Sequence, residues 1–202
     1  MAMTITHISC GGESDDIEKE DHSPVMSMLT GSKKKAWTWD TSVGTYGRVW
    51  GNMGYLGGDG SLVGTIGEGE WWGVSNSEEF AGQLDQTDNH RLIGDESMDA
   101  YMIFTTDGYI DTYDAKGNHI RGGTFNVVPV ENNPWKVANL TTSAGAILWP
   151  FEINSYGSKP TMFEVVYLTQ NKMTLVYPDG GNFNSLGQWG EATFWHFKQT
   201  QK

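Results

Sequence analysis

Short runs of alternating apolar and polar residues dominate the C-terminal half of the chain. Phe163, Val165 and Tyr167 fall on one face of an extended segment, because successive side chains of a β-strand point to opposite faces. Asp107-Gly108, the strongest short signal for a β-hairpin, lies between two such runs. The pattern therefore predicts antiparallel strands joined by tight turns.

Turn signals recur about every 8 to 14 residues from position 100 onwards, a spacing typical of an antiparallel meander. Helical pattern is confined to Ser77–Leu84, where two turns are expected. About nine strands must fold on themselves to bury one face and protect their edges, as a closed barrel or a two-sheet sandwich. The predicted strands are Lys35–Asp40, Ala100–Thr106, Tyr109–Asp114, His119–Val128, Trp135–Thr141, Ala146–Ile153, Thr161–Leu168, Met173–Tyr177 and Glu191–Lys198.

The chain is expected to hold one domain, at residues 29–202, because no internal repeat or second domain is evident and the length suits a single core. Residues 1–28 form an acidic leader that is expected to be disordered. Residues 41–99 look like a long elaboration after the first strand, with ten glycines between positions 44 and 69.

Charge and aromatic content narrow the choice of partners. The net charge of −12 argues against nucleic acid as a partner and against direct contact with an anionic membrane. Nine Trp, eight Tyr and eight Phe are more rings than a core of this size usually needs, so some are expected on the surface as contacts. The single cysteine, Cys10, allows no disulfide within the chain.

The N-terminal segment Ile8-Ser9-Cys10-Gly11, followed by an acidic run, resembles the start of a mature bacterial lipoprotein with the surface-export signal of Bacteroidota. This resemblance implies that acyl chains on Cys10 anchor the protein to the outer membrane, at the cell surface, with residues 11–28 as a tether. The apolar stretch before Cys10 is short, so the natural start is expected upstream.

The order of several short motifs also resembles a known family. Leu29-Thr30-Gly31-Ser32-Lys33 leads to Trp37-Thr38-Trp39-Asp40, and a glycine-rich stretch ends in Glu70-Trp71-Trp72-Gly73-Val74. Later motifs are Tyr101-Met102-Ile103-Phe104, Asp107-Gly108 and Thr193-Phe194-Trp195-His196-Phe197. Together they look like the C-terminal module of surface glycan-binding lipoproteins from Bacteroidota polysaccharide-utilisation loci.

That resemblance implies capture of a polysaccharide or oligosaccharide, which would be passed to an outer-membrane importer or to neighbouring glycan-degrading enzymes. The segment Phe163–Tyr177 is similar to lipocalin-like barrels from the same bacteria. A lipocalin-like barrel is therefore the expected fold, with a two-sheet jelly-roll sandwich as the alternative.

The glycine-rich elaboration holds the main candidates for contact with a sugar. Exposed indole and phenol rings stack on the C–H faces of sugars, and amide or carboxylate groups take the hydroxyls. Trp37, Trp39 and Trp195 are expected in the core instead, on partner strands. The candidate ligand-binding residues are Trp50, Asn52, Tyr55, Glu70, Trp71, Trp72, Asn76 and Trp189.

Catalysis is the less favoured reading. Glu68 and Glu70 would share a strand face at a separation that suits glycoside hydrolysis, but carboxylates are abundant in this chain. Glu152 and Glu164 lie on core-like strands and are candidates for inward-facing acids. A lipocalin-like carrier of an apolar small molecule is a further alternative.

No cofactor is expected. The histidines lack metal-ligand spacing, which argues against zinc. The sequence leaves open a structural calcium ion held by carboxylate and amide oxygens. Its candidate ligands are Asp85, Asp88, Asn89 and Asp95.

Overall fold

The computed structural model describes residues 23–40, 50–54, 70–74, 99–133, 136–143, 146–148, 161–178 and 191–202. For residues 50–54 and 70–74 the description concerns the backbone.

The described residues form one helix and ten strands. The helix is α1 (Ser23–Thr30). The strands are β1 (Lys34–Trp39), β2 (Trp50–Gly54), β3 (Glu70–Val74), β4 (Tyr101–Thr105), β5 (Tyr109–Tyr113), β6 (His119–Pro129), β7 (Ala138–Thr142), β8 (Met162–Leu168), β9 (Lys172–Pro178) and β10 (Glu191–Thr200).

Eight of these strands close into an antiparallel barrel. The strands β4 to β10 follow one another as a meander, and β1 pairs with both β4 and β10. Ala36 lies opposite Ile103 on one side and Thr200 on the other, so the sheet has no open edge at β1. The predicted lipocalin-like barrel is confirmed, and the two-sheet sandwich is excluded by this closure.

The barrel interior is filled with apolar side chains. Trp37, Trp39 and Trp195 are at most 1% exposed, as expected for core residues. The Trp39 ring stacks on Phe197 at a centroid distance of 4.9 Å, and Phe163 meets Trp195 edge to face at 5.5 Å. Such interlocking of large rings gives the dense packing of a protein core.

One end of the barrel, here called the α1 end, is closed by α1. Leu29 of α1 is buried in the core, and its carbonyl accepts a hydrogen bond of 2.8 Å from the Trp37 indole. The Lys35 ammonium donates to the carbonyl oxygens of Met28 and Gln170. Burial lowers the pKa of Lys35 below the ordinary lysine value.

The first described element of the fold, α1, begins at Ser23. Its first residues lie inside the segment that was predicted to be a tether up to residue 28. The sequence carries two weak signals for it, Pro24 in the first turn and Gly31 just past the end. Gly31 adopts a φ of +65°, and its N–H donates to the Ser27 carbonyl. The helix predicted at Ser77–Leu84 lies outside the described residues.

The opposite end, here called the distal end, is partly filled by residues 146–148. Ala146, Ile147 and Leu148 are at most 2% exposed and belong to the core. The Thr112 hydroxyl donates a 2.7 Å hydrogen bond to the Ala146 carbonyl, and Arg121 donates to the Ile147 carbonyl. The predicted strand Ala146–Ile153 is therefore wrong over 146–148, where the chain folds inward and its carbonyls bond side chains.

Candidate functional site

The two ends of the barrel differ in the connections they carry. At the α1 end, β4 joins β5 through residues 106–108, and β8 joins β9 through residues 169–171. At the distal end, residues 143–161 join β7 to β8 and residues 179–190 join β9 to β10. The chain between β1 and β4, which includes β2 and β3, also leaves and rejoins the barrel there. The long connections therefore start and finish at the distal end.

A two-stranded ribbon of β2 and β3 extends the sheet at this end. The second half of β10 pairs with β1, and its first half, Glu191–Trp195, pairs with β2. Trp39 lies opposite Phe197 and Trp50 lies opposite Trp195, so β2 continues along the edge of β10 beyond the point where β1 stops. The strand β3 then pairs with the outer side of β2.

The strand β10 gives this ribbon a rigid support. Phe194, Trp195 and His196 are at most 2% exposed, so both faces of β10 are covered beside β2. The prediction that His196 faces away from Trp195 and Phe197 is confirmed by the alternation along β10. His196 is nevertheless buried, and its Nδ1 lies 2.9 Å from the Thr174 hydroxyl.

Five of the predicted binding residues lie on the ribbon. Asn52 lies directly opposite Trp72, and Trp50 lies opposite Val74. Glu70 lies opposite Met53, and the register shifts between Asn52 and Met53. The five predicted residues that the ribbon brings together are Trp50, Asn52, Glu70, Trp71 and Trp72.

The register also relates the ribbon to the barrel interior. Leu175, Trp195 and Trp50 occupy one row of paired positions across β9, β10 and β2. Leu175 and Trp195 are fully buried members of the core. Directly paired positions share a face of a sheet, so Trp50 lies on the row that continues the interior face. Asn52 and Trp72 occupy the next row of paired positions across the same strands, and this row also contains the half-buried Tyr177.

The other predicted binding residues lie outside the described residues. Tyr55 follows the last residue of β2, Asn76 comes two residues after β3, and Trp189 comes two residues before β10. Glu191 pairs with Gly54, so the strand ends next to Tyr55 and Trp189 are neighbours. Cys10 also lies outside the described part of the chain.

Among the carboxylates considered for catalysis, Glu164 has a described side chain. Glu164 alternates with the inward-facing Phe163 and Val165, so the idea that it faces the interior is wrong. It accepts a 2.7 Å charged hydrogen bond from Lys136. Glu68 and Glu152 lie outside the described ranges.

Within the described residues, no group of three or more His, Cys, Asp or Glu side chains is arranged to hold a metal ion. The four candidate calcium ligands are not among those residues. In the same part of the chain, no helix has the length and apolar character needed to cross a membrane.

The structure thus defines a closed eight-stranded antiparallel barrel with a ribbon of β2 and β3 at its distal end. Comparison of the chain with protein-family models and with curated proteins finds no match.

One polar surface was not predicted from the sequence. Tyr109, Asp111 and Tyr113 occupy alternate positions of β5, and none of them belongs to the core. The Asp111 carboxylate lies 3.0 Å from His119 Nε2 on the neighbouring strand β6. The available signal was the alternation in the sequence Tyr-Ile-Asp-Thr-Tyr, in which only Ile110 and Thr112 are fully buried.

Proposed function

We propose that this protein binds a polysaccharide or oligosaccharide at the bacterial cell surface without catalysing a reaction on it. The observation that carries the proposal is the β2–β3 ribbon beside β10, in which Asn52 and Trp72 are directly paired and Trp50 lies two residues before Asn52. A site on paired strands keeps its geometry better than one on a free loop, and this lowers the entropy lost on binding.

The residue types on the ribbon suit a sugar. Indole rings offer flat apolar faces for the C–H surface of a pyranose ring, and the Asn52 amide can both donate to and accept from hydroxyls. Glu70 adds an acceptor for hydroxyl donors. A net charge of −12 favours a neutral glycan over an acidic one at a site that includes Glu70.

The packed interior favours glycan binding over the carrier alternative. A carrier of an apolar molecule needs an empty apolar space, whereas Trp37, Phe104 and Trp195 fill the interior of this barrel. For the hydrolase alternative, Glu70 would need a second carboxylate about 5 to 9 Å away. Of the carboxylates considered, Glu164 has a described side chain, and it forms an ion pair with Lys136 instead.

The positions of α1 and the ribbon at opposite ends of the barrel suit a protein tethered through its N-terminus. The helix α1 is the first described element, and it lies at the end opposite the ribbon. A lipid anchor on Cys10 would therefore join the barrel at the α1 end and leave the ribbon facing away from the membrane. An outer-membrane importer and glycan-degrading enzymes are the partners we propose for such a protein.

Affinity electrophoresis on gels that contain a panel of neutral polysaccharides tests this function. We expect retardation on at least one polysaccharide, and Trp72→Ala is expected to weaken binding by about tenfold because it removes one stacking ring. Met162→Ala is the matched control, since Met162 is an exposed apolar residue on β8.

Thermal unfolding of both variants distinguishes a loss of binding from a loss of the folded structure. If no polysaccharide retards the wild-type protein, or if Trp72→Ala binds as well as Met162→Ala, the ribbon is not a glycan site.

A further inference from the structure

A shallow pocket of about 230 Å³ lies on the outer wall of the barrel, where β1 meets β4 and β10. Ala36 and Ile103 form an apolar part of its lining, and Thr200 pairs with Ala36 beside them. The pocket lies towards the α1 end, because β1 begins there with Lys34 and β10 finishes there. It is separate from the ribbon, which adjoins the first half of β10.

The pocket is basic in an acidic protein. Lys34, Lys35 and Lys202 line it together with the amide-bearing side chains of Gln199 and Gln201, and among the described residues no Asp or Glu lines it. The whole chain has a net charge of −12, so this concentration of ammonium groups is local. The Lys35 ammonium donates to the Met28 and Gln170 carbonyls, and the Lys202 ammonium lies 5.1 Å from the centroid of the Tyr101 ring. Lys34 and Lys202, beside hydroxyl and amide groups, suit an anionic ligand that also carries hydroxyls.

The outer face of β5 lies next to the pocket, on the far side of β4. Ile103 lies opposite Asp111, and Lys34 lies opposite Thr105, which bonds the backbone of Tyr109. Neighbouring strands lie about 4.8 Å apart, so Tyr109 is about 10 Å from Lys34 across the sheet. That distance is about the span of two sugar rings.

The groups on β5 match the needs of a sugar next to an anionic one. The side chain of Tyr109 is 56% exposed and offers an aromatic face. Asp111 and His119 form a half-exposed pair at 3.0 Å, which presents an acceptor and a ring nitrogen to hydroxyls.

The neighbouring strand β6 has a glycine at the position that leaves room for the Asp111–His119 pair. Gly122 lies opposite Asp111, and a Cβ at Gly122 would overlap the Asp111 carboxylate and approach His119 Nε2 to 3.2 Å. A glycine at this position therefore lets Asp111 and His119 meet directly over the strand. Tyr113 packs against His119 edge to face at 5.4 Å and fixes the ring.

We propose that the outer wall of β10, β1, β4 and β5 is a second carbohydrate site that takes an anionic oligosaccharide. The carboxylate or sulfate of one sugar lies between Lys34 and Lys202, and the next sugar stacks on Tyr109 with its hydroxyls on Asp111 and His119. This site is independent of the ribbon, and it takes a different class of glycan.

The test is a titration of the ¹⁵N-labelled protein, followed by NMR, with acidic tetrasaccharides. The probes are galacturonate, mannuronate and chondroitin sulfate tetrasaccharides, with the methyl esters of the two uronates as neutral counterparts. We expect at least one acidic probe to shift the amide signals of Lys34, Ile103, Tyr109 and Thr200. Its methyl ester, where one exists, is expected to bind about fivefold more weakly, the effect of one exposed charge pair.

Variants assign the binding to the proposed residues. Lys34→Gln is expected to weaken binding by about fivefold, whereas Lys116→Gln, at an exposed lysine in the turn after β5, is expected to have no effect. Tyr109→Ala is expected to weaken binding by a similar factor. Trp72→Ala is expected to leave acidic binding unchanged, which separates this site from the ribbon.

Three outcomes would overturn the proposal. The first is that no acidic probe shifts these signals at millimolar concentration. The second is that Lys34→Gln binds as well as Lys116→Gln. The third is that sodium sulfate or acetate binds as tightly as the oligosaccharide, which would make the pocket a simple anion site.

Discussion

The two ends of the barrel differ in how the chain connects the strands there. At the α1 end, the strands are joined by residues 106–108, 130–137 and 169–171, and Trp37 and Lys35 each donate hydrogen bonds to backbone carbonyls. At the distal end, residues 114–118 form a short turn, but the other connections are longer, and the chain adds a ribbon of strands that the closed barrel does not need. Binding residues often lie on such additions, supported by a rigid scaffold.

The tryptophans of the described residues lie in two different settings. Trp37 and Trp39 lie on a barrel strand whose inner face is sealed by α1 and by Trp195. Trp50 and Trp72 lie on strands added beyond the barrel. Position relative to the closed sheet therefore separates core rings from candidate contact rings.

The sharpest test of this division compares two Trp→Ala substitutions. Trp37→Ala is expected to lower the free energy of unfolding by about 3 to 5 kcal/mol, because it leaves a large cavity and removes the bond to the Leu29 carbonyl. Trp72→Ala is expected to cost less than about 1 kcal/mol. Urea unfolding, followed by circular dichroism, measures both values. Equal losses would show that the ribbon is as much a part of the stable core as β1.

A second test concerns the inserted residues 146–148 at the distal end. Gly123→Ala would place a Cβ on the Ser143 hydroxyl and close to Ala146. The Ser143 hydroxyl accepts a hydrogen bond from the Thr124 N–H. We expect a loss of about 1 to 3 kcal/mol in the free energy of unfolding, because a packed turn must move.

The adjacent Gly122→Ala is the matched control for that substitution. Its Cβ would meet the Asp111 and His119 side chains, which are half-exposed and can turn towards solvent. We therefore expect Gly122→Ala to cost less than Gly123→Ala, with loss of the Asp111–His119 pair detectable by NMR. The reverse order would mean that residues 146–148 are not fixed by this turn.

The smallest expected effect is a pH dependence from Lys35 at the α1 end. Burial lowers its pKa, so the folded chain binds this proton more weakly than the unfolded chain does. Stability should therefore rise with pH in the interval between the folded pKa and the ordinary value of about 10.4. At pH values below that interval, Lys35 is charged in the folded chain, and the full free-energy cost of removing its ammonium group from water lowers the stability.

The measurement for Lys35 is a difference between variants. We expect the stability of the wild-type protein relative to Lys35→Met to rise as the pH approaches the ordinary lysine pKa from below. Lys116→Met, at an exposed lysine, is the control for removing a lysine charge elsewhere on the chain. A flat difference for Lys35 would show that its hydrogen bonds to Met28 and Gln170 offset the cost of burial.

Local sequence determined most of the barrel. Alternation of apolar residues fixes which side of a strand faces the core, and Asp107-Gly108 forces a tight turn in which Gly108 has a φ of +80°. The core roles of Trp37, Trp39 and Trp195 followed from the same alternation. These features depend on residues close together in the chain, so the pattern alone reveals them.

Only the tertiary structure decided the rest. The strands β2 and β3 contain glycine and lack a clear alternation. The edge of β10 beyond β1 offers hydrogen-bonding partners to β2, and β2 in turn offers them to β3. The helix α1 has eight residues, too few to be stable alone, and it forms because the barrel end buries Leu29. Residues 146–148 turn inward because Thr112 and Arg121, distant in sequence, bind their carbonyls. Such contacts across the chain have no local signature, because their free energy comes from partners that only the closed barrel brings together.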